Sequence, residues 1–452
     1  MSRFRSADPE LTQPSPHTTS VRASASELAL DWVFPALKSS PLAEGHRFGR
    51  DAACETVLSG TEVSRQHACI RAAGAWLVLR DLESRNGVFV GGQRVQERRL
   101  GPGDVVRIGE WLGIVRELHG TRSESSQLLE ISPGWYGGTR FAANLESLRQ
   151  VAASDLPIVI EAETGSGKEG AARAAHSWSA RSGPFVAVDC GALPENLAEA
   201  LLFGHAKGAF TGADRASVGY FRAAHGGTLF LDEVLNLGPS LQSKLLRVLE
   251  AHEVLPVGEA RPIAVDVRVV CAAQQSLSAA VEAGQFRADL MARLEGLTVA
   301  LPPLRERSED IVPLFFKLLE QHGGASLRCE PKFIESLLLY DWPLNVRELV
   351  LLARRMVALQ RGELLKRSLL PARMLEAAGR IGEPSGGPAE TVPRAPRTPI
   401  PDDMAFAELV EALRSHAGNL TKAAAHVGLS RGRAYRLLEA QPDFELSSVR
   451  RR

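Results

Sequence analysis

One short segment limits the fold more than any other. The apolar run Ile158-Val159-Ile160 leads into Ala162-Glu163-Thr164-Gly165-Ser166-Gly167-Lys168-Glu169. Two glycines and a lysine after a buried strand approximate the phosphate-binding loop G-x-x-x-x-G-K-[ST]. Gly165 and Gly167 let backbone N–H groups turn towards one point, and the following helix presents its positive end there. Lys168 adds a point charge. Two positions depart from the pattern: Ala162 replaces the first glycine, and Glu169 replaces the hydroxyl residue that helps hold magnesium. Alone, the segment also reads as a glycine-rich strand-to-helix turn. A second strand narrows the choice, because Leu229-Phe230-Leu231 ends in Asp232-Glu233. In a nucleotide hydrolase the first acid holds magnesium and the second polarises the attacking water; the alternative is a strand merely capped by acids. The surrounding rhythm favours hydrolysis. Residues 158–160, 185–188, 228–231 and 267–270 are apolar runs without alternation, separated by helical segments, as in a buried parallel sheet. In such a doubly wound α/β domain the strand ends line the ligand crevice.

The 452-residue chain is long enough for two to four domains. Residues 1–26 are rich in Ser, Thr, Pro and Arg and read as a disordered lead-in. Residues 27–118 hold short β-rich runs broken by glycine turns such as Gly91-Gly92, the pattern of a small all-β sandwich. Residues 119–136 read as a linker, 137–305 as the α/β core and 306–375 as a helical lid. Residues 376–401 contain six prolines, from Pro384 to Pro401, and read as a stiff linker. Residues 402–445 are helical, with Phe406, Leu409, Val410 and Leu413 on one face. Lys plus Arg and Asp plus Glu each number 53, so contact with nucleic acid must come from a local basic patch. Five widely spaced cysteines without C-x-x-C point to reduced thiols and a cytoplasmic location. No apolar stretch has the length of a membrane span, and the polar N-terminus lacks a signal-peptide core. No membrane partner is expected.

Further blocks carry a family resemblance. Gly204-His205-Ala206-Lys207-Gly208-Ala209-Phe210-Thr211-Gly212-Ala213 closely resembles the signature loop of sigma-54-dependent activators, AAA+ P-loop ATPases that remodel the sigma-54 RNA polymerase holoenzyme. The run G-A-F-T-G-A, residues 208–213, is highly specific and speaks against an AAA+ chaperone or a helicase-like remodeller. Gly226-Gly227-Thr228-Leu229-Phe230-Leu231-Asp232-Glu233, Phe286-Arg287-Ala288-Asp289-Leu290, Leu301-Pro302-Pro303-Leu304-Arg305-Glu306-Arg307 and Trp342-Pro343-Leu344-Asn345-Val346-Arg347-Glu348-Leu349 follow in the family's order. The resemblance implies ATP and Mg²⁺ as cofactors. It places Glu163, Thr164, Gly165, Ser166, Gly167, Lys168, Glu169, Gln274 and Arg347 around the nucleotide, Asp232 on the metal and Glu233 on the water. Arg287 and Arg293 match arginines that reach a neighbour's ATP, which implies a hexameric ring. Gly208, Ala209, Phe210, Thr211, Gly212 and Ala213 would contact sigma-54, with Phe210 and Thr211 at the tip. Ala273-Gln274 stands where the family usually has Thr-Asn, Asp189 where an Asn often restrains the glutamate, Leu344 for a glycine and Leu201 for a glutamate. The expectation is a working ATPase; the alternative is a catalytically weak DNA-bound adaptor that recruits phosphorylated partners.

Both ends resemble signalling modules. Gly49-Arg50, Ser64-Arg65-Gln66-His67, Asp81-Leu82-Glu83-Ser84-Arg85-Asn86-Gly87 and Gly103-Asp104 resemble a forkhead-associated (FHA) domain in order and spacing. A phosphothreonine needs a guanidinium and a hydroxyl aimed at one phosphate and an amide for the peptide. Arg50 and Ser64 fit the phosphate, Arg65 and Arg85 assist, and Asn86 holds the peptide; His67 reads as a buried residue that shapes the loop. The partner would be a phosphothreonine protein, such as a Ser/Thr kinase or its substrate. The alternative is a decayed interaction sandwich. At the other end, residues 419–427 and the segment from Ser430 form a helix-turn-helix pattern that resembles the Fis-type DNA-binding domain. Lys422, Ser430, Arg431, Arg433, Tyr435 and Arg436 are its DNA-contact candidates at enhancer-like upstream sites, with a dimer as the binding unit. A dimerising helical hairpin with a solvated basic face is the other reading.

Overall fold

The computed structural model describes residues 28–74, 76–118, 127–360, 362–380, 409–410 and 413. The lead-in and the DNA-contact candidates Lys422, Ser430, Arg431, Arg433, Tyr435 and Arg436 lie outside the described residues.

The first described domain is a two-sheet sandwich. One sheet runs in the order Lys38–Leu42, Leu28–Phe34, Trp111–Glu117, Val105–Ile108, Val88–Val90, Gln93–Val95. The other runs Thr56–Val57, Arg47–Gly49, Ala68–Ala73, Trp76–Asp81, Glu97–Arg99. Alternate residues face the shared core: Leu28, Leu30, Trp32, Ile70, Leu79, Val106 and Ile108 are all buried there. Trp32 fills its centre, edge-on to Phe48 and Trp111 at 5.8 and 5.9 Å between ring centroids. The hairpin at Gly91-Gly92 has both φ angles positive, 59° and 80°, as a two-residue turn matched to strand twist requires.

Residues 128–136, placed by sequence in the linker, instead join 137–138 in a hairpin of Leu128–Ser132 and Trp135–Gly138 that packs on the α/β core. Behind it stands a parallel sheet in the order Phe185–Asp189, Thr228–Asp232, Arg268–Ala273, Ile158–Glu161, Leu297–Ala300. The Lys168–Trp178 helix lies on it through a face of Ala171, Ala172, Ala174 and Ala175, all fully buried. These methyl-sized side chains let the helix axis approach the sheet closely. The lid follows with helices Ser308–Gln321, Pro331–Leu338, Asn345–Leu359 and Ala372–Arg380 around Phe315, Phe333, Leu349 and Trp342. The last helix runs into residues 376–380, which the sequence reading assigned to the proline-rich linker. Among the described residues no helix is long and apolar enough to cross a membrane. All five cysteines are free thiols.

Arg268 is 2% exposed at the start of the central strand. Its guanidinium donates to the carbonyls of Val151, Ala152 and Leu156, closing the chain end of the Glu146–Val151 helix onto the sheet. Arg268→Met keeps the stem and strands three carbonyls. We expect a loss of about 3 kcal/mol in urea unfolding, since each unsatisfied buried acceptor costs on the order of 1 kcal/mol or more. A change within 0.5 kcal/mol, on the order of a surface substitution, would contradict this role.

Candidate nucleotide site and recognition loops

The glycine loop emerges between two strands of the sheet and turns at Gly165 and Gly167, with φ of 78° and 111°. Ala162 is buried at the strand end, and its N–H donates to the Ala273 carbonyl at 3.0 Å. No positive φ is needed there, so an alanine serves in place of the glycine. Lys168, 6% exposed, points its ammonium between the two acids: Nζ is 2.5 Å from Glu233 Oε1 and 3.5 Å from Asp232 Oδ1. Glu233 sits in the left-handed region at φ 52°, and its N–H donates to Asp232 Oδ1 at 3.0 Å. That conformation is unusual for a glutamate, and such strain gathers at functional sites. Burial first, then the Glu233 charge, push the Asp232 carboxyl above its usual range, against the pull of Lys168.

Gln274 Nε2 donates to Glu233 Oε1 at 3.0 Å. The residue that departs from the family pattern therefore still provides a polar partner at the end of the neighbouring strand. Asp189 is paired in register with Asp232, but its carboxylate accepts the Gly191 N–H at 2.9 Å and caps its own turn. Lys168 and Gln274, not Asp189, hold Glu233.

The lid grips the loop from the other side. Asn345, fully buried at φ 51°, accepts the Leu304 N–H at 2.7 Å and donates to the Thr164 carbonyl at 3.0 Å. Arg305 makes a two-pronged pair with Glu163, at 2.8 and 2.5 Å. Arg307 donates to the Ser166 carbonyl at 3.1 Å, and Val346 N–H to the Gly165 carbonyl at 3.0 Å. A Cβ on Gly165 would stand 2.2 Å from the Leu344 carbonyl, so the lid itself demands glycine there. Leu344 replaces a glycine without strain, at φ −110°. In these blocks the family resemblance points only to Arg347; the hold of Arg305, Arg307 and Asn345 on the loop emerges from the folded chain.

Between loop and lid lies a cavity of about 330 Å³ lined by Trp135, Gly165, Ser166, Gly167, Lys168, Glu169, Asp232, Leu318 and Arg347. Trp135 lies over the loop helix, where a Cβ on Gly170 would meet its ring at 2.6 Å. The Ser166 hydroxyl is buried in the loop without a partner. A lysine, an unpartnered hydroxyl and two turned glycines suit a phosphate chain. Among the described residues no group of three His, Cys, Asp or Glu side chains is placed to hold a metal. Asp232 can supply the one carboxylate that Mg²⁺ takes beside phosphate oxygens and water. Glu169 lines the cavity but is paired with Arg173 at 2.7 Å.

Arg287 and Arg293 lie away from this cavity. Arg287 pairs with Asp289 at 2.6 Å and donates to Ser243 Oγ at 3.1 Å, while Arg293 donates to the Leu249 carbonyl at 2.9 and 3.1 Å. The 208–213 loop turns at Gly208 and Gly212, φ 80° and 96°, with open space at both glycines. Gly208 N–H donates to the Ala213 carbonyl at 2.8 Å, closing the loop on itself. Thr211 is exposed, whereas Phe210 leans on the His205 ring at 5.0 Å between centroids. Ala209 lies beside Gly258, whose added Cβ would meet it at 2.9 Å.

The sigma-54 interaction domain matches residues 137–300, the AAA+ ATPase lid domain 305–385 and the FHA domain 46–109. The transcriptional regulatory protein ZraR of Salmonella typhimurium is 38% identical over 339 residues, 73% of this chain and 74% of ZraR. The chain belongs to the sigma-54-dependent activator family. The hydrogenase transcriptional regulatory protein HoxA of Cupriavidus necator is 43% identical over 301 residues, 65% of this activator and 62% of HoxA. The crystal structure of NtrX from Brucella abortus in complex with ADP is 30% identical, covers 67% of the activator and 69% of NtrX, and gives a TM-score of 0.49.

The activator's FHA loops meet at one end of its sandwich. Ser64 Oγ accepts the Arg85 N–H at 3.2 Å, which leaves its own O–H free to donate. Asn86 Nδ2 donates to the Glu62 carbonyl at 2.8 Å. Arg50, Arg65, Arg85 and Asn86 are exposed around Ser64. His67 is fully buried: Nδ1 accepts the Ser64 N–H at 3.0 Å and Nε2 faces the Gly87 carbonyl at 3.2 Å. Burial holds its imidazole below the usual range, so a neutral ring ties the two loops together.

Asn345 ties Leu304 to the phosphate loop through both ends of its amide. Asn345→Ala should cost the activator about 2–4 kcal/mol in thermal or urea unfolding, because it strands a buried N–H and a carbonyl and puts alanine at positive φ. A stability within about 0.5 kcal/mol of the parent would remove the lid grip from this account.

Proposed function

We propose that this activator hydrolyses ATP to remodel the sigma-54 RNA polymerase holoenzyme at promoters, under the control of phosphothreonine recognition by its FHA domain. The observation that carries the reading is Lys168 held between Asp232 and Glu233, inside a glycine loop gripped by the lid. A bound phosphate chain draws the Lys168 charge away from the acids. Glu233 is then free to orient and deprotonate water, steadied by Gln274. Asp232 would hold Mg²⁺, which would supply charge neutralisation at the phosphates. Arg347 reaches the same cavity from the lid. Arg287 and Arg293 lie outside their own chain's cavity, which supports action in a neighbour's site and a ring, with the hexamer as its expected size. The exposed Thr211 supports the 208–213 loop as the contact with sigma-54.

The C-terminal segment would hold the regulator on DNA as a dimer, through Lys422, Ser430, Arg431, Arg433, Tyr435 and Arg436. Its basic helix-turn-helix pattern is the support. The signal would be a phosphothreonine placed by a Ser/Thr kinase, with Arg50, Ser64, Arg65 and Arg85 around the phosphate and Asn86 on the peptide. Sequence departures motivate the catalytically weak adaptor as a second reading, but the Gln274 contact with Glu233 weakens their force.

Two substitutions separate chemistry from coupling. Glu233→Gln should keep nucleotide binding and cut phosphate release by roughly 10²-fold or more, the usual scale for a lost general base. Thr211→Ala should retain most hydrolysis and lose promoter opening by sigma-54 polymerase. Parental turnover in the first variant, or full transcription with the second, would each overturn the corresponding role.

The FHA reading has its own test. Calorimetry of the full chain with phosphothreonine peptides and their unphosphorylated counterparts should show binding that depends on the phosphate, because a dianion gains charge-assisted hydrogen bonds from Arg50 and Ser64. Arg50→Ala should remove that preference. Binding indifferent to the phosphate would leave a plain interaction sandwich.

A further inference from the structure

The six-stranded FHA sheet is buried on both faces along its central strands. Leu30, Trp32, Val106 and Ile108 point into the sandwich. Their neighbours Val33, Val105, Leu112 and Ile114 point outward and are equally buried, in a cluster with Phe315 and Phe333 of the lid. A sheet that faced water on that side would alternate apolar and polar residues. Here all four residues of Val105–Ile108 are buried, so the outward face is built to be covered, and the lid covers it.

The contact has a specific register. Arg107 Nε lies 3.0 Å from Glu335 Oε2 on the Pro331–Leu338 helix, with each residue 8% exposed. The same guanidinium lies 3.7 Å over the Phe89 ring. Phe34 stacks on Phe316 of the Ser308–Gln321 helix, with planes within 3°. A buried ion pair adds little net stability, but removing one partner leaves an uncompensated buried charge. The pair therefore fixes where the sandwich sits. The phosphothreonine candidates lie on exposed loops at the sandwich end, clear of this face.

The same lid holds the phosphate loop through Asn345, Arg305, Arg307 and Val346. We propose that the outward FHA sheet face is a docking surface for the lid, and that docking favours the lid position closed on the phosphate loop. FHA docking and nucleotide affinity are then thermodynamically linked: breaking the dock weakens nucleotide binding, and bound nucleotide strengthens the dock. The proposal rests on the nucleotide reading of the cavity and is independent of the phosphothreonine reading.

The test uses the full chain, a fluorescent ADP analogue and amide hydrogen exchange. Variants are Arg107→Ala, Glu335→Gln and the exchange of charges Arg107→Glu with Glu335→Arg. Each single variant should speed exchange in residues 105–108 and 331–338 and weaken analogue binding by about fivefold or more, the ordinary scale of coupling between sites. Combining Arg107→Ala with Glu335→Gln should add little to the worse single variant. The charge exchange should restore part of the affinity. Unchanged exchange in residues 68–73 and 158–161 shows that sandwich and core remain folded; Glu335→Gln, nearly isosteric, guards against an unfolded alanine variant. Faster exchange at the interface with unaltered affinity would overturn the linkage. Unaltered exchange at the interface would overturn the dock. If the unmodified chain binds no analogue, the nucleotide reading fails and the linkage falls with it, while the exchange data still decide the dock.

Discussion

The site depends on the grip of the lid on the phosphate loop. A glycine-rich loop has many backbone conformations, and only a fixed one presents its N–H groups to a single ligand. Here the fixing comes from outside the loop. Asn345, itself at positive φ, links Leu304 to Thr164, while Val346 and Arg307 take the carbonyls of Gly165 and Ser166. Arg305 adds the paired carboxylate of Glu163. Four backbone or carboxylate acceptors are thereby directed away from the cavity. The concave side keeps Lys168 and an unpartnered hydroxyl on Ser166. Lid position and loop shape are therefore tied to each other.

On the opposite side of the loop, the acids are held by their strands. Asp232 ends a strand and receives the N–H of Glu233, whose left-handed backbone turns its carboxylate back to Lys168 and Gln274. The neighbouring Asp189 spends its carboxylate on its own turn. This division explains how the activator departs from its family at residues 162, 189, 274 and 344 and still brings Lys168, Asp232 and Arg347 to one cavity, with Glu233 paired to Lys168. Each departure falls where backbone conformation or an alternative partner meets the local need.

Much of this was legible in the sequence. The apolar strands, the glycine loop and the Asp232-Glu233 pair are local patterns with local physical reasons; the chain folds strands where they were read, one of them running on past 270 to Ala273. The sandwich was legible from its turns, with Gly91-Gly92 adopting the two positive φ angles that its hairpin needs. The grip of Asn345, Arg305 and Arg307 was not legible as physics, since it joins residues about 140 to 180 positions apart and no periodicity marks such a pair. Residues 128–136 read as linker, with the α/β rhythm starting at Gly137; packing of Trp135 on the loop helix makes residues 128–138 one hairpin. The docked FHA face left one trace: Leu28–Phe34 and Val105–Ile108 lack the alternation expected of a half-solvated sheet.

The central claim is that this lid-gripped cavity breaks down ATP and does not merely bind it. Phosphate release by the unmodified full chain, followed over a range of protein concentrations with ATP and Mg²⁺, tests it most directly. The account predicts steady release whose rate per chain rises with concentration, because in the proposed ring Arg287 and Arg293 of a neighbour would complete each site. Tight ATP binding without release at any concentration would contradict it and leave a DNA-bound adaptor in place of a motor.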